Sequence, residues 1–278
     1  MTVTNLNEGM KRLSFNQKTV NDWSLPEAVD GCLRHDVPWI ALWRDKVEET
    51  GLEASAKAIR DSGLGVSSLC RGGMFPSPDA DDRAARIEDN RRAIHEAATL
   101  GTDVLVMVCG GLAGVQAIDD ARTMVRDGIE AIIPYAEERG VRIGIEPLHP
   151  AFASDRSVIT LLSEANDLVE HFNSPQVGVV IDIYHVWWDP AVYAEIERAK
   201  GRILGFHVND WPVTNTNVLM GREMMGDGVV QNRRLREAVD AQGYDGPIEV
   251  EIFNEEIWRR DGDSVMREMK QRFQDEVL

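Results

Sequence analysis

Short apolar runs rich in Val and Ile alternate with helical patterns along this chain, and that alternation limits its possible folds more than any other feature. Eight such runs recur, roughly one in every 35 residues. They end near Asn16, Trp43, Arg71, Cys109, Glu146, Asp182, Val208 and Ile252. Continuous apolar runs of this kind are typical of parallel strands that are buried on both faces.

The segments between the runs predict eight helices. Their ranges are 25–36, 52–62, 81–100, 119–139, 158–172, 191–200, 233–242 and 255–273. Ser24 and Glu27 form a capping-box pattern at the start of the first predicted helix. Gly101 and Gly140 lie where the third and fourth predicted helices should end. Eight β-α units without a linker predict an α/β protein, a single (β/α)₈ TIM-barrel domain over residues 1–278.

A doubly wound nucleotide-binding sheet is the rival fold. Its support is the sequence GGLAG at residues 110–114, which follows an apolar run. That sequence does not match the GxGxxG pattern, and no acidic residue ends a strand about 20 residues later. The barrel is therefore the preferred prediction.

Charge and composition narrow the possible partners. The net charge of −17 argues against binding to nucleic acid or to an anionic membrane surface, since both need clustered Lys and Arg. A neutral substrate or a metal cation is easier to reconcile with it. We expect a cytoplasmic protein, because the N-terminus lacks a secretory h-region, no apolar run reaches membrane-span length, and the three cysteines form no CxxC motif.

Four acidic or imidazole side chains end successive apolar runs, at the fifth to eighth predicted strands. They are Glu146, Asp182, His207 and Glu251. Buried ionisable groups are costly unless they are paired or ligate a metal, and the C-terminal strand ends of a barrel meet at one site. The only basic residues in these runs, Arg142 and Arg202, lie at the entering ends. We predict one divalent ion there, Mn²⁺ in the first place, with Mg²⁺ or Co²⁺ as alternatives.

Two histidines follow these ligands at the same offset. His149 comes three residues after Glu146, and His185 three residues after Asp182. Imidazole titrates near neutrality, so either could be a general base or a donor to a hydroxyl group. We take His149, together with Glu146 and Glu251, as catalytic candidates, and His185 as a substrate-binding candidate.

Tryptophans cluster in the loops that should leave the strands. Five of the seven lie there: Trp43, Trp187, Trp188, Trp211 and Trp258. Aromatic faces can stack on sugars or flat aglycones, although core packing would explain any single one. Trp187, Trp211 and Asn16 are our further substrate-binding candidates. The long segment 209–228, with three methionines, could be a lid or a partner surface.

The motifs GIEPLHP, VIDIYH, GFHVND, MMGDG and GPIEVEIF, in this order, resemble the xylose isomerase-like barrel superfamily. That group includes sugar isomerases and epimerases, inositol-catabolic enzymes and endonuclease IV-type repair nucleases. The resemblance implies that Glu146, Asp182, His207 and Glu251 hold one divalent ion, as their counterparts do in ketose epimerases. It also implies that the two glutamates exchange protons with the substrate and that His185 contacts a substrate oxygen.

Two departures from these relatives affect the functional prediction. The ketose epimerases carry an Arg a few residues after the ligand His, whereas this chain reads HVNDWPV. The repair nucleases bind three zinc ions with extra histidines on earlier strands, and strands 2 to 4 carry none here.

The sequences EPLHP, DRSV, DIYHVWWDP and HVNDW also resemble the α subunit of bacterial C-glycoside deglycosidases, which works with a small β subunit on 3-keto C-glycosides. We therefore predict first a lyase that cleaves a 3-keto-glycoside by β-elimination, as part of a hetero-oligomer or a homo-oligomer. The alternative is a sugar or sugar phosphate isomerase or epimerase acting on a free ketose or an inositol derivative. A non-catalytic sugar-binding barrel is a third hypothesis.

Overall fold

The computed structural model describes the backbone of residues 3–278 and the side chains of residues 7–278. The strands are β1 Leu13–Asn16, β2 Trp39–Trp43, β3 Gly65–Gly73, β4 Val104–Val108, β5 Arg142–Ile145, β6 Val177–Asp182, β7 Ile203–Val208 and β8 Ile248–Val250. The helices are α1 Val3–Met10, α2 Leu25–Arg34, α3 Arg44–Thr50, α4 Leu52–Ser62, α5 Ala80–Leu100, α6 Ile118–Arg139, α7 Leu162–Phe172, α8 Ile183–Val186, α9 Val192–Arg198, α10 Asn232–Asp240, α11 Glu255–Trp258 and α12 Gly262–Arg272.

The eight strands form a closed barrel in chain order, and every neighbouring pair is parallel. Closure comes from β1 and β8, where Leu13 pairs with Ile248 and Phe15 with Val250. The predicted (β/α)₈ barrel is confirmed. Because all strands run the same way, all their carboxyl ends meet at one mouth of the barrel.

Most predicted boundaries agree with the structure. The capping box of Ser24 and Glu27 is formed, and Gly101 and Gly140 end α5 and α6 in the left-handed conformation. The last predicted helix is instead two, α11 and α12, because the side chain of Asp261 accepts from the Ser264 N–H and starts a new helix. Helix α1 and the short helices α3 and α8 were not predicted from the sequence.

The core has an outer layer and an inner layer. The outer layer lies between the strands and the surrounding helices and holds the main hydrophobic cluster. A second cluster of Cys70, Val106 and Val180 lies inside the barrel, since β3 and β6 are not neighbours and can touch only through its interior. A Cβ on Gly144 would come within 2.5 Å of the Val180 side chain, so the interior is packed solid below the mouth.

The three cysteines are free and buried. Within residues 3–278, none of the helices combines the length and the apolar character that crossing a membrane requires.

Candidate metal centre and its cavity

The four predicted ligands converge at the mouth of the barrel. Asp182 and His207 lie at the ends of β6 and β7, while Glu146 and Glu251 each follow their strand directly. One ligand atom from each residue lies within 4.8 Å of the others, and all four side chains are buried. Chain segments that are far apart in sequence thus supply one imidazole and three carboxylates to a single point.

The polar atoms of this cluster fit a bound cation. Oε1 of Glu146 and both ring nitrogens of His207 are buried and have no well-aligned hydrogen-bond partner. Nδ1 of His207 lies 3.5 Å from Oε1 of Glu146 and 3.6 Å from Oε2 of Glu251. A buried unpaired polar atom costs about 1–3 kcal/mol, and a cation between these atoms would remove that cost. Oxygen and imidazole donors of this kind suit a divalent ion.

A fifth buried acid, Glu249, lies behind the cluster. It precedes Glu251 by two residues on β8, so both side chains point into the barrel. Its Oε2 lies 3.2 Å from Nε2 of His207, while its oxygens accept from Nδ2 of Asn16 at 3.2 Å and from Oγ of Ser68 at 2.7 Å. An outer carboxylate beside a ligand histidine fixes the ring and makes it a stronger ligand. The sequence reading missed Glu249, although its position two residues before a ligand was a usable signal.

Arg222 is the second residue that the sequence reading missed. Its Nη1 donates to Oδ2 of Asp182 at 2.6 Å and to Oε2 of Glu251 at 2.7 Å. The guanidinium lies between the rings of Tyr184 and Phe253, at 4.8 and 5.0 Å from their centroids. The absence of an Arg from HVNDWPV was therefore misleading, because the fold brings an arginine to the site from further along the same loop.

The loop over residues 209–228 is held in place by its own hydrogen bonds. Asp210 accepts from the backbone N–H groups of Trp211, Gly226 and Val230 at 2.8–2.9 Å. The carbonyl of Arg222 accepts from Nδ2 of Asn254 at 3.0 Å. The loop covers the site, and its two buried methionines, at positions 224 and 225, belong to the core.

Burial and neighbouring charges shift the acid–base properties of the site. Burial raises the pKa of Glu146 to about 7. Burial would also raise the pKa of Asp182, but the positive charge of Arg222 outweighs it and holds that pKa below its usual value. Burial would lower the pKa of His207, but Glu249 and the two ligand glutamates outweigh it and raise the pKa well above its usual range. Without an ion, the cluster therefore binds protons in its place.

His185 lies at the cavity and His149 does not. Nδ1 of His185 accepts from the His149 backbone N–H at 3.1 Å, and burial lowers the pKa of His185 to about 3. Nε2 of His185 lies 3.1 Å from Nη2 of Arg222, and the ring borders the cavity beside that arginine. The ring of His149 instead stacks on Trp211, with centroids 5.2 Å apart, and its Nδ1 accepts from the Ala151 N–H at 3.2 Å.

The other three substrate-binding candidates, Trp187, Trp211 and Asn16, are not among the residues that line the cavity. Trp187 and Trp211 pack against each other with centroids 5.8 Å apart, away from the residues that line the cavity. Asn16 is buried behind the ligands, where its Nδ2 donates to Oε1 of Glu251 at 3.1 Å and its Oδ1 accepts from Nε1 of Trp43 at 2.8 Å. Trp43, which was not singled out as a binding residue, lines the cavity with Phe253.

A cavity lies above the four predicted ligands, and both apolar and polar side chains line it. Its apolar wall includes Leu148, Phe152, Val218 and Leu219. Its polar residues are Arg71, Glu146, Arg156, His185, Arg222 and Glu251. The two glutamates are therefore both candidate ion ligands and cavity walls, and they border the space where a molecule could bind beside an ion.

Comparison with known proteins places the chain among related barrels. The family described as xylose isomerase-like TIM barrel matches residues 29–274. L-ribulose-5-phosphate 3-epimerase UlaE of Salmonella paratyphi A is 29% identical over 208 residues, which are 73% of this chain and 69% of that protein. A protein of Sinorhizobium meliloti 1021 superposes with a TM-score of 0.94 at 45% identity, covering 96% of this chain and 98% of the other. The IOLI protein, solved with a binding zinc atom, shares the fold with a TM-score of 0.85 at 19% identity, covering 96% and 98% of the two chains.

Proposed function

The chain belongs to the xylose isomerase-like TIM-barrel family, and on that premise we propose that it is a metal-dependent sugar isomerase or epimerase that removes a proton next to a carbonyl group. The observation that carries the proposal is the convergence of four ligand atoms within 4.8 Å at the floor of a cavity that two of the ligands also line. The relation to a sugar phosphate epimerase supports it.

The chemistry needs two groups that exchange protons with carbon, and the chain offers Glu146 and Glu251. Both carboxylates border the cavity, from β5 and β8. One removes the proton from the carbon next to the carbonyl, and the other returns a proton to the opposite face or to the neighbouring carbon. A divalent ion held by Glu146, Asp182, His207 and Glu251 would supply positive charge that offsets the negative charge of the enediolate.

Two further residues position the substrate and balance the charge. His185 borders the cavity beside Arg222, where its ring can contact a substrate oxygen. Arg222 sets one positive charge against the carboxylates of Asp182 and Glu251. The assignment of the base to His149 remains a sequence-based hypothesis, and the geometry favours the glutamates because the His149 ring packs on Trp211.

Isomerase or epimerase chemistry takes precedence here over the C-glycoside cleavage that the sequence analysis put first. The relative UlaE is an epimerase. The missing arginine after His207 no longer counts against an epimerase, because Arg222 lies at the site. Cleavage of a 3-keto C-glycoside with a small β subunit remains a hypothesis from the sequence, and the test below includes it.

The test is deuterium incorporation from D₂O by the Mn²⁺-loaded protein. A panel of ketoses, ketose phosphates and one 3-keto C-glycoside is incubated, and the products are identified by NMR and mass spectrometry. We expect deuterium on the carbon next to the carbonyl of a ketose or its phosphate. Glu146→Gln and Glu251→Gln should abolish it, while Glu195→Gln, on the outer helix α9, should not. Release of the aglycone without exchange into any ketose would instead support elimination.

A further inference from the structure

Two arginines at the cavity, Arg71 and Arg156, are paired more weakly than Arg222 is. Nη1 of Arg71 contacts Sδ of Met74 at 3.1 Å, a weak acceptor, and no carboxylate within residues 7–278 forms an ion pair with Arg71. Nε of Arg156 is buried without a hydrogen-bond partner, and its nearest carboxylate is that of Asp155, at 3.8 Å and 62% exposed. Both arginines line the cavity above the ion ligands.

The contrast with Arg222 shows why these two are available to a ligand. Arg222 makes hydrogen bonds at 2.6 and 2.7 Å to two carboxylates, so its charge is already matched. Burial, followed by the repulsion of Arg71, lowers the pKa of Arg156, and the attraction of the exposed Asp155 does not offset them. The guanidinium groups of Arg71 and Arg156 therefore have N–H donors without strong acceptors, at positions that are partly shielded from water.

The cavity lining carries more positive charge than the chain as a whole. The chain carries a net charge of −17, yet the cavity is lined by three arginines and two glutamates. Asp182 and Glu249 lie behind that lining, and a divalent ion at the glutamates would offset their negative charge. The expectation of a neutral substrate rested on the net charge of the whole chain and did not include the arginines at the cavity.

We infer that the cavity binds a sugar that carries an anionic group, a phosphate or a carboxylate, and that Arg71 and Arg156 hold that group. The inference rests on the proposed sugar chemistry and specifies its substrate class. Arg71 is on β3, four strands around the barrel from the ligand His207 on β7. The anionic group would thus lie across the mouth from that ligand, with the carbonyl end of the sugar at the ion. Guanidinium groups bind phosphate and carboxylate with paired, charge-assisted hydrogen bonds.

The test measures binding by isothermal titration calorimetry with the Mn²⁺-loaded protein at low ionic strength, so it does not depend on turnover. The probes are inorganic phosphate and two matched pairs, L-ribulose 5-phosphate with L-ribulose, and D-glucuronate with D-glucose. We expect the anionic member of at least one pair to bind at least about tenfold more tightly than its neutral partner. The phosphate pair and the carboxylate pair show which anion the site prefers.

Variants decide whether the two arginines cause the preference, since an anion could also bind the ion itself. Arg71→Gln and Arg156→Gln should each reduce it about tenfold, and the double variant should abolish it while binding Mn²⁺ as the wild type does. Arg202→Gln is the matched control, because Arg202 precedes β7 at the opposite end of the barrel and its Nη1 donates to a backbone carbonyl.

Equal binding within both pairs would overturn the inference, and so would a preference that survives in the double variant. Neither result touches the proposed reaction, which fails only if the protein exchanges no proton with any sugar of the D₂O panel. An anion preference without exchange would keep the inference and remove the proposed function.

Discussion

Replacing Arg222 with Met tests whether this arginine is the counter-charge of the metal centre. In the metal-free protein Arg222 is 6% exposed, and its guanidinium neutralises Asp182 and Glu251, which are 0% and 4% exposed. Breaking a buried ion pair by removing one partner costs about 3–5 kcal/mol. At about 2–4 °C per kcal/mol for a chain of this size, Arg222→Met should lower the melting temperature of the metal-free protein by about 6–20 °C.

Adding the ion should reverse most of that loss. A divalent cation supplies the positive charge that the variant lacks, and it no longer meets repulsion from the guanidinium. Saturating Mn²⁺ should therefore raise the melting temperature of the variant by about 5 °C or more beyond the rise in the wild type. The wild-type rise itself corresponds to about 2.7 kcal/mol when Mn²⁺ stands at 100 times its dissociation constant.

The assay is differential scanning calorimetry of both proteins with EDTA and with excess Mn²⁺. The matched control is Arg44→Met, because Arg44 also bridges two carboxylates, Asp89 at 2.9 Å and Glu96 at 2.6 Å, but lies outside the site. It should destabilise the chain without changing the gain from Mn²⁺. An equal gain in wild type and Arg222→Met, or the same excess in Arg44→Met, would refute the reasoning.

Three further predictions concern the same site. Glu249→Gln keeps the shape but removes the charge 3.2 Å from Nε2 of His207, so Mn²⁺ affinity by calorimetry should fall about 10–100-fold, and an unchanged affinity would contradict that role. Mn²⁺ affinity should rise with pH, because the raised pKa values of Glu146, at about 7, and of His207 make protons compete with the ion. Mn²⁺ binding should release protons, measured by calorimetry in buffers of different ionisation enthalpy, and the release should diminish above pH 7. Binding without proton release would contradict competition between protons and the ion. His149→Asn should lower turnover by less than about tenfold with the metal retained, and a loss of about 10²–10⁴-fold would restore His149 as the base.

The convergence of the four candidate ligands could be predicted from the sequence for a simple geometric reason. Glu146, Asp182, His207 and Glu251 each end an apolar run, and each run is continuous enough to be recognised as a buried parallel strand. In a closed parallel barrel, the end of a strand already fixes where its last side chain lies. Local pattern therefore sufficed to bring four distant residues to one place.

Residues beyond the ends of the strands could not be placed in this way. His149 and His185 follow their ligands at the same offset, yet His185 borders the cavity and His149 stacks on Trp211. The two tryptophans chosen for sugar stacking lie away from the cavity lining, while Trp43 borders it. Once the backbone leaves the strand, spacing along the sequence no longer predicts where a side chain points.

The barrel and the convergence of the four candidate ion ligands follow from the sequence alone, because the period of a strand and the place where it ends are local properties. A parallel barrel converts those properties directly into position. The tertiary structure was needed to show that Arg222 returns to Asp182 and Glu251 and that Glu249 lies beside His207. It was also needed to show that Arg71 and Arg156 line the cavity. Those contacts depend on the path of the 209–228 loop and on pairing across the barrel. Both are set by hydrogen bonds and packing between residues far apart in the chain.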